Sequence, residues 1–270
     1  IEIVGNGLTY NKENVLPSID FYDVGDTWAE STPTFTQVTA NLKIVGGDAD
    51  VDNFLKATRS NIQDLEAAVV ELKAKALKDK FEDTFIYGNS ATSAKQFDGI
   101  RKLIDTTTAS AQVIAMGATG ATLTLAKLDE LIDAVKGGKP DILLMSRRSR
   151  RKINALVRAA NGMMETDRDS WGNFIQFWDG IPIAVNDWIL DTHVLAGSVE
   201  TATTGGTNST IYALQFGEGA LCGLTGPGRI QVEPIGSLET KDASRTRIKW
   251  YVSLALFSAV KAAALIGVQD

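Results

Sequence analysis

One histidine, His193, and one cysteine, Cys222, bound the chemistry open to this chain. Together they cannot fill the four nitrogen and sulfur positions of an ordinary zinc site. No Gly-x-Ser-x-Gly elbow exists to present a serine to His193. The histidine lies in Asp191-Thr192-His193-Val194 and reads as a structural side chain at a strand edge. Cys222, close to Leu221 and Leu224, reads as a small buried hydrophobe. Asp48-Ala-Asp50-Val-Asp52 begins like a calcium loop, but Asn53 stands where glycine is needed and Arg59 where a bidentate glutamate is needed. These carboxylates suit helix capping instead, with Asp50 as the expected N-cap of a helix through Lys56. Gly217-Glu-Gly219-Ala-Leu-Cys-Gly223 has neither the dinucleotide spacing nor a Walker lysine, so its glycines read as turn residues. No catalytic residue, cofactor or metal is expected.

The dense basic run is Ser146-Arg147-Arg148-Ser149-Arg150-Arg151-Lys152. Cations at a helix start oppose the macrodipole, so Arg147, Arg148, Arg150, Arg151 and Lys152 should meet counter-charges from elsewhere or face nucleic acid. No aromatic residue interrupts the run, which argues against base stacking. The whole chain is acidic, with 27 Lys+Arg against 33 Asp+Glu, and is a poor general binder of nucleic acid or anionic membranes. No apolar run reaches the length of a membrane span. A lone cysteine fits a reducing compartment. The opening Ile1-Glu2-Ile3-Val4-Gly5 has no Met and no basic signal-type segment, as expected for a processed end or for the start of an ordered region.

The elements around these residues follow from periodicity. Residues 1–19, with Gly5-Asn6-Gly7 and Pro17, read as an extended arm with little core of its own. Val38, Ala40, Leu42 and Ile44 alternate with polar residues like one half-buried strand. Tyr22, Val24 and Trp28 offer it a partner across Ser31-Thr32-Pro33-Thr34, and Gly46-Gly47-Asp48 should end the ribbon. A two-stranded ribbon is marginal alone, so its apolar face should rest on another subunit. Asn61 to Tyr87 reads as one long helix, stopped by Gly88-Asn89, with Ile62, Leu65, Val69, Leu72 and Ala76 as its apolar stripe.

Residues 105–121 are small and polar, a loop or hairpin. An amphipathic helix on Leu125, Leu128, Leu131, Ile132 and Val135 follows, then a buried strand over Asp141–Ser146 and a helix from Arg147 to Ala160. Residues 161–179, with Trp171, Phe174, Phe177 and Trp178, read as an aromatic loop; residues 181–185 and 211–216 read as strands, with a flexible loop over 201–210. Arg229–Ile235, Arg245–Val252 and Leu254–Val260 read as three strands, the first an edge because of Pro234.

This order of elements resembles the major capsid proteins of tailed bacteriophages, whose fold is named after the phage Hong Kong 97. The likeness is carried by Leu42-Lys-Ile-Val-Gly-Gly-Asp-Ala-Asp-Val-Asp52, Phe85-Ile-Tyr-Gly-Asn89 and Phe97-Asp-Gly-Ile-Arg-Lys-Leu-Ile104. Asp141-Ile-Leu-Leu-Met-Ser-Arg147, Gly180-Ile-Pro-Ile-Ala-Val-Asn-Asp187 and Arg245 to Val268 complete it. The resemblance implies an α+β fold with an N-terminal arm (1–19), an extended β-ribbon loop (20–47) and a peripheral domain holding a long spine helix (48–104). It further implies an axial domain (105–228), with residues 229–270 supplying the return strands of the peripheral domain and the end of the axial domain.

The same resemblance implies an icosahedral shell of hexamers and pentamers around packaged double-stranded DNA, without sequence-specific DNA binding and without a membrane. Portal, scaffold and decoration proteins are the implied partners, and the virion, assembled in the host cytoplasm, the implied location. Trp28, Phe35, Val38, Leu42 and Ile44 are the expected inter-subunit contacts of the ribbon. Covalent cross-linking is not implied, since no matching cross-link residues can be assigned. An encapsulin-like compartment on the same fold and, more remotely, a soluble hydrolase using Asp187, His193 and a serine are the alternatives.

Overall fold

The structure is a computed structural model that describes residues 1–15, 18–32, 34–59, 64–168, 172 and 174–270. Pro17, Pro33, Asn61, Ile62 and Trp171, which figured in the expectations above, lie outside the described residues. In chain order the strands are β1 (Gly7–Val15), β2 (Thr34–Asn41), β3 (Lys43–Asp52), β4 (Val113–Ala115), β5 (Ala121–Thr122), β6 (Ile142–Met145), β7 (Glu165–Arg168) and β8 (Phe174–Trp178). They continue as β9 (Ile181–Val185), β10 (Val194–Ala196), β11 (Val199–Ala202), β12 (Ser209–Leu214), β13 (Leu221–Ser237), β14 (Ala243–Leu256) and β15 (Ala262–Gln269). The helices are α1 (Asn53–Arg59), α2 (Leu65–Tyr87), α3 (Ile100–Ile104), α4 (Leu125–Ala134) and α5 (Arg147–Ala159). The chain divides into two compact units, one of residues 1–8, 40–102 and 223–254, the other of residues 9–39, 103–222 and 255–270.

The first unit is built on a sheet of order β13-β14-β3, with α2 beside it. Gly46 and Gly47 were expected to end a ribbon, but they sit inside β3, opposite Lys249 and Ile248 of β14. A Cβ at Gly46 would run into the Ile248 carbonyl oxygen, so this glycine serves a close strand approach. Asp50 likewise lies in β3; the cap of α1 is Asp52, whose carboxylate accepts from the amides of Phe54 (2.9 Å) and Leu55 (3.3 Å). Helix α2 starts at N-cap Asp64, which accepts from the amides of Glu66 and Ala67. At about 1.5 Å per residue it is roughly 35 Å long. Only its end is fully buried, at Thr84 and Ile86, and Leu72 of the expected inward stripe is 64% exposed. Phe81 supplies packing instead, 4.8 Å from Trp250 and 6.0 Å from Phe97 between ring centroids.

The N-terminal residues are tied down where a coreless arm was expected. Ile3 is buried, its amide donates to Thr225 O (2.9 Å), and the terminal amine of Ile1 donates to Gly223 O (2.7 Å). Edge strand β13 offers these residues a free run of backbone groups, which explains the pairing.

The second unit is built on a sheet of order β4-β15-β12-β6-β9-β8-β7, with β5 also on β15. Strands β6 and β9 are parallel, joined by a crossover through α5, whereas β12 is antiparallel to both β6 and β15. Leu128 and Leu131 of α4 and Ile153 and Val157 of α5 share one core with Leu143, Met145, Ile211 and Leu265. Thr124 caps α4 by accepting from Lys127 N, and Ser146 caps α5 by accepting from Ser149 N. The aromatic loop expected over 161–179 contains instead the antiparallel hairpin β7–β8. Residues 254–256 continue β14, and after a 3-10 turn at Ala259–Lys261 the chain enters β15, buried at every residue but Gln269.

The ribbon also differs. Its strands are β1 and β2, and residues 20–32, where Tyr22, Val24 and Trp28 were expected to form the partner strand, are not in a strand. Asp23, Gly25 and Asp26 explain this: Asp26 N donates to Asp23 O (3.1 Å), Asp23 N donates to Asp26 Oδ2 (2.7 Å), and Gly25 has φ +101°.

Candidate inter-subunit surfaces

The ribbon is anchored at its root. Thr9 and Thr39 hydroxyls meet across it at 3.0 Å. The Tyr10 ring lies 4.6 Å from that of Phe257, and its hydroxyl accepts from Leu256 N at 3.2 Å. Burial draws the Lys12 ammonium below the usual lysine range, with Asp105 acting in the opposite sense.

The tip, residues 18–32, is folded on itself. Ser18 N donates to Ser31 Oγ (3.0 Å), Ala29 N donates to the Tyr22 hydroxyl (3.2 Å), and Tyr22 stacks on Trp28 at 4.4 Å. Its large apolar side chains point into solvent: Ile19, Phe21 and Val24 are more than nine-tenths exposed and Trp28 is 78% exposed. Asp20, Asp23, Asp26 and Glu30 accompany them, with no cation in the segment.

The five expected ribbon contacts fall on different elements. Trp28 is on the tip, Phe35 is exposed on β2, and Val38 is half-buried there. Leu42 sits at the break between β2 and β3, and Ile44, 73% exposed, belongs to β3. Sequence reasoning missed Ile19 and Phe21; their alternation with Asp20 and Tyr22 was the available signal.

On the three-stranded sheet, charges are matched across strands. Arg245 meets Asp50 (2.6 Å), Arg247 meets Asp48 (2.7 Å) and Lys249 meets Glu233 (2.7 Å). Hydrogen bonds from Arg247 and Arg245 hold the Asp48 and Asp50 carboxyls below the usual aspartate range. The outer part of β13 exposes Ile230, Val232 and Ile235.

Among the described residues the basic run on α5 is only partly answered inside its own chain. Arg147 holds Asp187 in a bidentate pair, which draws that carboxyl down. Arg148 donates to Thr207 O (2.8 Å) and Val268 O (3.2 Å) and lies 3.5 Å from Asp191. Arg151 reaches only 4.0 Å from Asp270. Arg150 is exposed and Lys152 half-buried.

A groove of about 440 Å³ opens beside α4 and the β7–β8 hairpin. Ile132, Met164, Phe177 and Trp178 form its apolar walls, and Asp129, Asp133, Glu165 and Asp179 stand among its lining. Trp178 Nε1 donates to Asp129 Oδ1 at 2.9 Å, and Lys139 pairs with Asp179 at 2.7 Å.

The residues of the hydrolase alternative are not brought into a working site. His193 is wholly buried, with Nδ1 2.9 Å from Thr210 Oγ1 and 3.3 Å from Glu200 Oε2. Asp187 is at the surface in the grip of Arg147. Cys222 Sγ donates to Gly217 O (2.6 Å), and burial pushes the thiol up, away from nucleophilic use. Among the described residues no cluster of three His, Cys, Asp or Glu could hold a metal, and no helix is long and apolar enough to cross a membrane.

A search of curated protein sequences found no match. Among solved structures, the SrpI encapsulin of Synechococcus elongatus PCC 7942 is similar with a TM-score of 0.74 and 18% identity, covering 100% of this chain and 84% of that one. The capsid of a native GTA particle is similar with a TM-score of 0.67 and 12% identity (99% and 87% covered), and a chain of Mycobacterium phage Bobi with 0.63 and 16% (100% and 87%). The chain therefore has the Hong Kong 97-type fold over its whole length. The family described as SU10 major capsid protein matches residues 24–208, well over half of the sequence. The chain belongs to the SU10 major capsid protein family, and its role is that of a structural protein of a capsid shell, built by homo-oligomeric assembly.

Proposed function

We propose that the chain tiles the icosahedral shell of a tailed double-stranded DNA bacteriophage as hexamers and pentamers, joined by ribbons that overlap neighbouring copies. One observation carries this reading: the 18–32 tip exposes Ile19, Phe21, Val24 and Trp28 although its backbone is locally ordered. Apolar side chains held out in this way gain by burial against a partner. The overlapping element is β1, the tip and β2, rather than residues 20–47. On this reading residues 48–104 with the return strands from 229 form the peripheral domain around spine helix α2. Residues 105–228, with the chain end, form the axial domain.

The shell protein performs no catalysis. It encloses DNA without reading its sequence, and it works beside portal, scaffold and decoration proteins in a virion assembled in the host cytoplasm. A second reading, an encapsulin-like compartment, is favoured by the likeness to the SrpI encapsulin. Electron microscopy of the purified protein, with nucleic-acid content measured in parallel, tests both. Closed shells are expected, and DNA inside particles from infected cells supports the phage reading. Shells enclosing an enzyme support the compartment, and a stable solitary subunit at high concentration refutes both.

A further inference from the structure

We infer that the acid-lined apolar groove between α4 and the β7–β8 hairpin seats the basic start of helix α5 from a second copy of the chain. The inference rests on the capsid reading and names a specific contact within it. Two anions of the groove, Asp133 and Glu165, are exposed and carry no ion pair among the described residues. Met163 beside them is 94% exposed. The groove therefore combines uncompensated negative charge with apolar surface, which asks for a cation whose stem or plane can lie on aromatic rings.

Arginine meets that requirement better than lysine, because its guanidinium stacks on aromatic faces while pairing with carboxylates. The same compact unit supplies two such arginines without firm partners among the described residues: Arg150, exposed, and Arg151, which only approaches Asp270 at 4.0 Å. Among the described residues neither arginine makes an ion pair with an acid of the groove in its own chain. Complementary patches kept apart within one subunit are joined by a neighbour, and repetition of such a head-to-tail contact closes a ring. The groove's acidity disfavours the other polyvalent occupants, nucleic acid and anionic lipid.

Charge reversal tests the pairing. The two variants are Asp133→Lys/Glu165→Lys, and Arg150→Glu/Arg151→Glu. Both alter exposed positions, so each should keep the wild-type melting profile in the unassembled subunit. Each alone should lower the fraction sedimenting as particles by roughly tenfold or more, because like charges then face one another across the contact. Combining all four substitutions in one chain should restore particles, since every reversed groove then meets a reversed helix. Normal assembly by either single-patch variant, or no recovery in the chain carrying all four substitutions, overturns the contact while wild-type particles still form. Failure of the wild-type chain to form particles under the same conditions overturns the capsid reading, and this contact with it.

Discussion

Replacing Phe21, Val24 and Trp28 together by serine separates the subunit's own stability from its assembly. These side chains are 107%, 105% and 78% exposed, so removing them takes almost no buried apolar surface from the subunit. Inside the subunit the substitution removes the stacking of Trp28 on Tyr22, which lies within the same tip. Unfolding of the unassembled subunit should therefore change by less than about 0.5 kcal/mol, as for other surface substitutions. Assembly should respond very differently. Full burial of a side chain of this size contributes about 1.5–3 kcal/mol, so the three could supply about 4.5–9 kcal/mol per contact. If a third to a half of their surface is covered by a neighbour, the loss is about 3 kcal/mol, or a roughly hundredfold rise in the subunit concentration needed for shells. Denaturant unfolding gives the first quantity, and sedimentation of a concentration series gives the second. Shells forming at the wild-type threshold would refute the role of the tip. A subunit destabilised by several kcal/mol would refute it equally, since the side chains would then be packing against their own body.

Three further outcomes follow from the fold. Leu131→Ala, at a wholly buried position of the α4 core, should cost about 2–5 kcal/mol in denaturant unfolding; a cost under about 1 kcal/mol would mean the core is not packed as described. Gly88→Ala should destabilise by at least about 1 kcal/mol, because its Cβ would meet the carbonyl oxygens of Phe97 and Thr84, and an unchanged melt would contradict that geometry. Asp48 and Asp50 have folded-state carboxyls held low, so their contribution is complete above the unfolded aspartate value of about 4 and fades as pH falls through the lower folded values. Unfolding midpoints measured from about pH 5 downward should therefore fall more steeply in the wild type than in Asp48→Asn/Asp50→Asn, and parallel slopes would remove these pairs from the account.

Elements whose signal is local were legible in the sequence. Helices α4 and α5 and strands β6, β9 and β12 follow from periodicity over their own residues, and each has its expected place. The misreadings arise where a distant strand decides. Gly46-Gly47 looks like a stop until β14 lies against it, and Asp50 looks like a cap until Arg245 claims it from the far end of the chain. The β7 segment Glu165–Arg168 is polar and exposed throughout, so no alternation marks it as a strand. The partners of the basic run are Asp187, Asp191, Thr207, Val268 and Asp270, scattered over the last third of the chain. No local pattern could have collected them.

Charge is handled in two ways along this chain, and the contrast bears on how a shell subunit stays both folded and sociable. On the three-stranded sheet Arg245 and Arg247 of β14 face Asp50 and Asp48 of β3 in register, and Lys249 pairs with Glu233 of β13, so a mispaired neighbour finds little unbalanced charge at these positions. Such exposed pairs add little stability, but they cover the strands with charge, which discourages random pairing of sheets. The tip and the α4 groove instead carry negative charge next to exposed apolar surface, and the start of α5 carries positive charge without a full complement. Apolar burial supplies strength without orientation, whereas charge supplies orientation with little strength. Placing the two together at a few sites, and neutralising the rest, gives contacts weak enough to correct during assembly and specific enough to repeat. Once a ring begins to close, each added contact forms within an assembly that already holds its partner, so modest individual contacts suffice for a stable shell.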